Sequence, residues 1–181
     1  KNYYLDHKDY YTLSRYGTYA EFGKRIERLG EYHKFASHSY QKAISSVNTF
    51  NAIIQINNKH FAEAASFAKK NINQKVATDG DYVILAKATM GMYNTEEKNM
   101  ESLSLIQQAR SMAETPNLNT DKQEILVLMR LKKLAKAATA IQNYIDNLTN
   151  FKEQTHDSED IAWASAEINW ASELLQRVTI L

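Results

Sequence analysis

Apolar residues along this chain recur at intervals of three and four, and no stretch alternates with period two between turn signals. That periodicity predicts an all-α chain. Residues 1–8 are polar and aromatic without a clear period and read as an irregular lead-in. A first helix is expected from Tyr10 to Leu29 through Leu13, Tyr16, Tyr19, Ala20, Phe22 and Ile26, broken by Gly30. A long second helix would place Tyr32, Phe35, Ala36, Tyr40, Ala43, Ile44, Val47, Phe50 and Ile54 on one face, up to the punctuation at Asn57-Asn58. Phe61, Ala64, Ala65, Ala68 and Ile72 mark a shorter third, followed by a polar loop at 73–80 that ends in Asp79-Gly80.

The fourth helix runs from about Asp81 to Tyr93. Asn94 with Glu97 has the spacing to cap a fifth, carrying Met100, Leu103, Ile106, Ala109 and Ala113 and ended by Pro116. Thr120 and Gln123 have capping-box spacing, and one long sixth helix is expected to follow to about Leu148 through Ile125, Leu128, Leu131, Ala135, Ala138, Ile141 and Ile145. A loop at 155–158 precedes the last helix, Glu159 to Val178, with Ile161, Ile168, Ala171, Leu175 and Val178 inward. Seven helices joined by short polar turns imply antiparallel hairpins. The expectation is one all-α domain over 1–181, divisible at the 73–80 loop into sub-units 9–73 and 81–179.

Composition agrees with that reading. Only 5 Gly and 1 Pro interrupt 181 residues, and 44% are hydrophobic, enough for a core. The net charge of +1 supplies no global field to draw nucleic acid or an anionic membrane, and no nucleic-acid partner is expected. The charge is uneven: residues 1–90 carry 13 basic and 8 acidic side chains, and residues 91–181 carry 9 and 13. Solvated helix faces account for most such asymmetry, and an electrostatically polar molecule meeting a charged partner is the sharper reading. With 0 Cys, disulfides and thiolate metal sites are excluded. The chain begins at Lys1 and not Met, as a processed exported or lipoprotein-derived chain or a trimmed one would, and the compartment stays undetermined. No apolar run approaches the roughly 20 residues a bilayer span requires.

The stretch 19–44 has a more specific pattern. Gly23 and Gly30 stand seven residues apart in an apolar helical run, where they are expected to mark the closest approach or sharpest turn of the first two helices. Tyr19, Phe22-Gly23, Ile26, Gly30 and Tyr32 follow the order and spacing of the tetratricopeptide repeat. Ala36, Tyr40 and Ala43 continue it once one extra residue is allowed. A poorer second match runs from Leu85-Ala86 through Ile106, Ala109 and Pro116. Half the chain therefore resembles that family. The resemblance implies an α-solenoid-like array and a scaffold that binds a protein or peptide on its concave face. Small residues at such spacing also serve any tight helix packing, so a closed helical bundle is the alternative architecture.

Few residues form a constellation with chemistry. Arg28 and His33 resemble the Arg-x4-His element of HEPN-type ribonucleases, which implies an RNA-cleaving or toxin function as an alternative. Gly30 lies inside that string and favours a break there. Glu153 and His156 have Glu-x-x-His spacing, but a di-iron bundle needs a second such pair, and His7, His33, His38 and His60 supply none. No phosphate loop or nucleophile elbow is present. The chain is read as non-catalytic, without metal or cofactor.

Tyrosine is the stronger bias, with 8 of the 11 lying in the first 40 residues. Tyr16, Tyr19, Tyr32 and Tyr40 suit a hairpin core, whereas the pairs Tyr3-Tyr4 and Tyr10-Tyr11 cannot all point inward. Tyr3, Tyr4, Tyr10, Tyr11 and Tyr16 are therefore candidates for partner binding or self-association. Arg130 and Lys133 join them from a basic stripe with Lys132 and Lys136 on the sixth helix, which otherwise serves as a solvated face. Trp163 and Trp170 share a face of the last helix and read as core or end-cap packing. A structural bundle within an exported or membrane-anchored assembly is the third functional reading.

Overall fold

The computed structural model describes residues 38–180, which form seven α-helices and, among these residues, no strand. They are α1 (His38–Asn57), α2 (Phe61–Asn73), α3 (Asp79–Met92), α4 (Glu96–Met112), α5 (Leu118–Arg130), α6 (Leu134–Gln154) and α7 (Ser158–Thr179). The helix expected at 10–29, Gly23, Gly30, Arg28, His33 and the tyrosines up to Tyr32 lie outside the described residues. The chain divides into two compact units between Met92 and Tyr93. That boundary falls beyond the 73–80 loop, because α3 packs on both α2 and α1.

In the first unit α1 buries Ala43, Ile44, Val47, Ala52 and Ile56, and α2 buries Ala64, Ala65 and Ala68. Those alanines, at spacings of three and four, form a small-residue stripe on one side of α2. The sequence of α3 is apolar nearly all round, and residues Val83 to Ala86, Ala88 and Met90 are all buried. Phe50, expected on the inner face of α1, is instead 38% exposed. Asn48 takes the inner position through its bond to Asn71, and two residues further along a helix the side chain points almost the opposite way.

A polar network links the three helices. Asn71 and Asp81 are both fully buried. The Asn71 amide donates to Ser45 O at 2.9 Å and to both Asp81 carboxylate oxygens at 3.2 Å, while its oxygen accepts from Asn48 Nδ2 at 2.9 Å. Thr49 Oγ1 (2.8 Å) and the Thr78 backbone N–H (3.0 Å) also donate to Asp81. Asp81 thereby satisfies an orphan N–H just ahead of α3, and the Ser45 hydroxyl, donating to Val76 O at 2.9 Å, ties the preceding turn to α1.

Three helices end in the same way. Lys59, Lys75 and Lys132 take left-handed backbone conformations, with φ of 61°, 59° and 54°. After α1, Lys59 N bonds Ile56 O and His60 N bonds Gln55 O; after α2, Lys75 N bonds Ile72 O and Val76 N bonds Asn71 O. After α5, Lys132 N bonds Met129 O and Lys133 N bonds Leu128 O. Each is a Schellman ending with lysine where glycine is usual.

The third of these endings corrects the single long helix expected from 120 to 148. The chain stops at Arg130, turns through 131–133 and restarts as α6. The interruption shifts the phase, so Ala135 is exposed while Ala137, Ile141, Tyr144 and Leu148 form the buried face. The caps differ from expectation as well. Thr95, one residue beyond Asn94, caps α4 through Lys98 N, and Asn117 caps α5 by accepting from Asn119 N and Thr120 N. Thr120 therefore sits inside the first turn of α5 and not at its cap.

In the second unit α4 packs on α5, α5 on α6 and α6 on α7, a succession of neighbours that makes an all-α array. Short connections make each pair antiparallel. Its core gathers Ile125, Ile141, Tyr144, Leu148, Ala164, Ala171 and Val178. The Tyr144 hydroxyl donates to Glu167 at 2.9 Å, and Lys122 bonds the same carboxylate at 2.7 Å while lying 4.9 Å from the centre of the Trp170 ring. Trp170 also meets Tyr144 edge-on at 6.4 Å. Trp163 departs from the expected burial: it is 44% exposed and packs edge-on against Phe151 in the last turns of α6.

Candidate functional site

The second unit carries two hollows that share Arg110 and Asn143 and adjoin as a groove along α4, α5 and α6. The helical period lines it from three sides. Leu103, Gln107 and Arg110 lie within two turns of α4; Glu124 and Leu128 form its floor on α5; Lys136, Thr139, Asn143, Asp146 and Asn147 recur on one side of α6. One hollow, of about 410 Å³, lies by the α4–α5 connection at Ala113–Asn117. The other, of about 530 Å³, runs along Gln107, Lys136, Thr139 and Ala140. Both are in the size range of ligand sites.

One cation holds the groove together. Arg110 Nη2 bonds Asp121 at 3.0 Å and also bonds Glu124, while Asn147 donates to the second Asp121 oxygen at 2.9 Å. Asp121 is buried and Arg110 is about half exposed. Burial pushes the Glu124 carboxyl above its ordinary value; Arg110 pulls it down and Asp121 pushes it further up. A single guanidinium is thus shared between two carboxylates. Thr120, which lines the smaller hollow, is only 3% exposed, and its hydroxyl oxygen has no hydrogen-bond partner.

Of the side chains singled out in the sequence, Lys136 lines the groove, and Arg130 and Lys133 do not. Arg130 Nη1 donates to Tyr93 O at 3.3 Å, and Lys133 Nζ lies 3.4 Å from Met100 Sδ, so both tie the α5–α6 turn to the beginning of α4. With Lys132 in that turn, the basic stripe is a cluster around a helix break and not one helical face. Tyr3, Tyr4, Tyr10, Tyr11 and Tyr16 lie outside the described residues. Glu153 ends up in the last turn of α6 and His156 in the turn after it. Among the described residues no three His, Asp or Glu side chains converge as a metal site would require, and no helix is long and apolar enough to cross a membrane.

Arg110, Asp121, Glu124 and Asn143 carry the groove, and none stood out in the sequence. Arg110 and Glu124 come from different helices, so no local spacing joins them. The readable signal was the polar stripe at 136, 139, 143 and 146–147. No protein-family model matches this chain, nor does any curated protein or solved structure.

Proposed function

We propose that this protein is a non-catalytic, tetratricopeptide-like helical scaffold that binds an extended peptide or protein segment along the groove between α4 and α6. The supporting observation is the groove itself: two hollows on an array of antiparallel helices that share Arg110 and Asn143 and are lined by amide, charged and small apolar side chains. Gln107 and Asn143 each offer a donor and an acceptor, the complement of a peptide backbone. The cluster of Arg110, Asp121, Glu124 and Asn147 is held in place before any ligand arrives, which lowers the ordering cost of binding. The tyrosine-rich N-terminal segment is a second contact surface in this reading, for the same partner or for another copy of the chain.

The test is selection of short random peptides against the full chain, followed by Thr139→Trp. Thr139 is exposed and lines the larger hollow, so an indole there fills the groove without entering the core. Selected peptides should lose binding to this variant while its helical content and melting temperature stay unchanged. Selection of no peptide, or binding that is indifferent to Thr139→Trp, overturns the reading.

A further inference from the structure

We infer that the second unit associates head-to-tail with another copy of this chain, the acidic end of its helices meeting the basic end of the next copy's. Antiparallel packing gathers the start of α4, the end of α5, the start of α6 and the end of α7 at one end of the unit, and their opposite termini at the other. Taking each connection with the nearest turn of helix, residues 93–99, 127–137 and 176–180 at the first end carry six basic and two acidic side chains, a net +4. Residues 109–121 and 151–161 at the second carry two basic and six acidic, a net −4. The placement of apolar side chains is a separate observation. Among the described residues of this unit the exposed large ones are Tyr93, Met100, Met112, Trp163 and Ile180, and each lies within about two turns of a helix end. Tyr93, Met100 and Ile180 sit at the basic end, Met112 and Trp163 at the acidic one. Both aromatic anchors are held before any contact forms, which lowers the ordering cost. Lys98 lies 5.7 Å from the centre of the Tyr93 ring and Arg130 bonds the Tyr93 carbonyl, while Phe151 meets Trp163 edge-on at 5.9 Å. Like ends repel and unlike ends attract, so the contact is heterologous and repeats from copy to copy. Four helix ends, each about 10–12 Å across, offer roughly 400 Å² per copy against about 800 Å² for a standard interface, so the contact is weak and forms in concentrated protein.

The experiment is sedimentation velocity of the full chain from about 10 μM to about 1 mM, the range a contact of this size calls for. The weight-average sedimentation coefficient should rise with concentration in about 50 mM salt and fall back in about 500 mM, where the Debye length shortens from about 14 Å to about 4 Å. Two double variants each remove one end. Glu153→Lys with Trp163→Gln alters the acidic end, and Lys132→Glu with Met100→Gln the basic end; all four side chains are exposed and none lines the groove. Each variant alone should associate at least tenfold more weakly than the wild type, with its melting temperature held. Should Trp163→Gln unfold the unit, Met112→Gln takes its place beside Glu153→Lys. An equimolar mixture of the two variants should form a heterodimer that grows no further, because each retains the end that the other lacks. A wild type that stays monomeric to about 1 mM at low salt overturns the inference. So does association indifferent to both variants, as contact through the N-terminal tyrosines would be, and so does a mixture that stays monomeric while the wild type associates.

Discussion

Replacing Asn71 with alanine should destabilise the first unit more than any other single truncation of a polar side chain there. The Asn71 carboxamide, itself fully buried, accepts from Asn48 and contacts Ser45 O, Thr49 Oγ1 and both oxygens of Asp81 as donor, all within 2.9–3.2 Å. The single Thr49 hydroxyl proton goes to Asp81 at 2.8 Å or to Ser45 O at 3.0 Å, and Asp81 also keeps the Thr78 N–H, so the carboxylate is not stranded. Two losses remain: the Asn48 donor is left without its acceptor, and the Asp81 carboxylate loses a donor. An orphaned buried donor costs about 1–3 kcal/mol and a hydrogen bond to a charge about 1.5–3 kcal/mol, giving about 2.5–6 kcal/mol together, with about 4 kcal/mol in the middle. Against a typical domain stability of about 5–15 kcal/mol that is severe.

The measurement is urea unfolding followed by circular dichroism at 222 nm, with tryptophan fluorescence alongside. Both tryptophans lie in the second unit, so the fluorescence reports that unit directly. The dichroism midpoint for the first unit should fall by about 2 M, taking a slope of about 2 kcal/mol per molar urea. A cycle with Asp81→Ala should show coupling of about 1 kcal/mol or more, because the two side chains share one network. A cost below about 1 kcal/mol, or strictly additive single mutants, would refute the claim that this network holds the three helices in register.

Four further outcomes are expected. Lys59→Gly, Lys75→Gly and Lys132→Gly should each raise the melting temperature, since a left-handed lysine costs about 1 kcal/mol that glycine avoids; destabilisation at all three sites would refute the strain argument. Gly91→Ala should destabilise by about 1–2 kcal/mol in chemical denaturation despite the better helix propensity of alanine, because its Cβ would sit 2.6 Å from the Phe61 ring. For Glu124, a folded-state value above the ordinary 4.5 means that the folded chain holds the proton more tightly, so the linked stability is present below that value and lost as pH rises through the raised one. Glu124→Gln should flatten that fall in melting temperatures measured across the acidic range. The Tyr144 phenol is pushed well above its usual value by burial and by the Glu167 carboxylate, so an alkaline ultraviolet titration should leave it un-ionised after exposed tyrosines have titrated; Tyr144→Phe should remove that late step and cost about 1–3 kcal/mol.

The positions of α2, α3, α4 and α7 were legible within a residue or two. α2, α4 and α7 carry apolar stripes long enough to declare a period, α3 is a nearly continuous apolar run, and each is bounded by polar turn residues. The break between α5 and α6 was not legible. Leu131 and Ala135 continue the apolar period across it, and the residue that turns the chain is Lys132, which carries no sign of a left-handed conformation. The same disguise covers the ends of α1 and α2, where only the neighbouring asparagines hinted at a stop. Thr120 offers a related lesson. Its spacing to Gln123 imitates a capping box, yet Asn117 reaches the free N–H groups first and draws Thr120 into the helix.

Sequence alone determined the secondary structure class, the short connections and hence the antiparallel neighbours, because those follow from local propensity and a 3.6-residue period. Only the tertiary structure decided which polar residues meet. Asn71 finds Asp81 and Asn48, and Arg110 finds Asp121 and Glu124, through helix packing, and no periodicity records which face of one helix opposes which face of the next. The groove is a product of that same choice: its lining was written along α4, α5 and α6 as ordinary polar positions, and it became a site when α5 set the other two helices on either side of it.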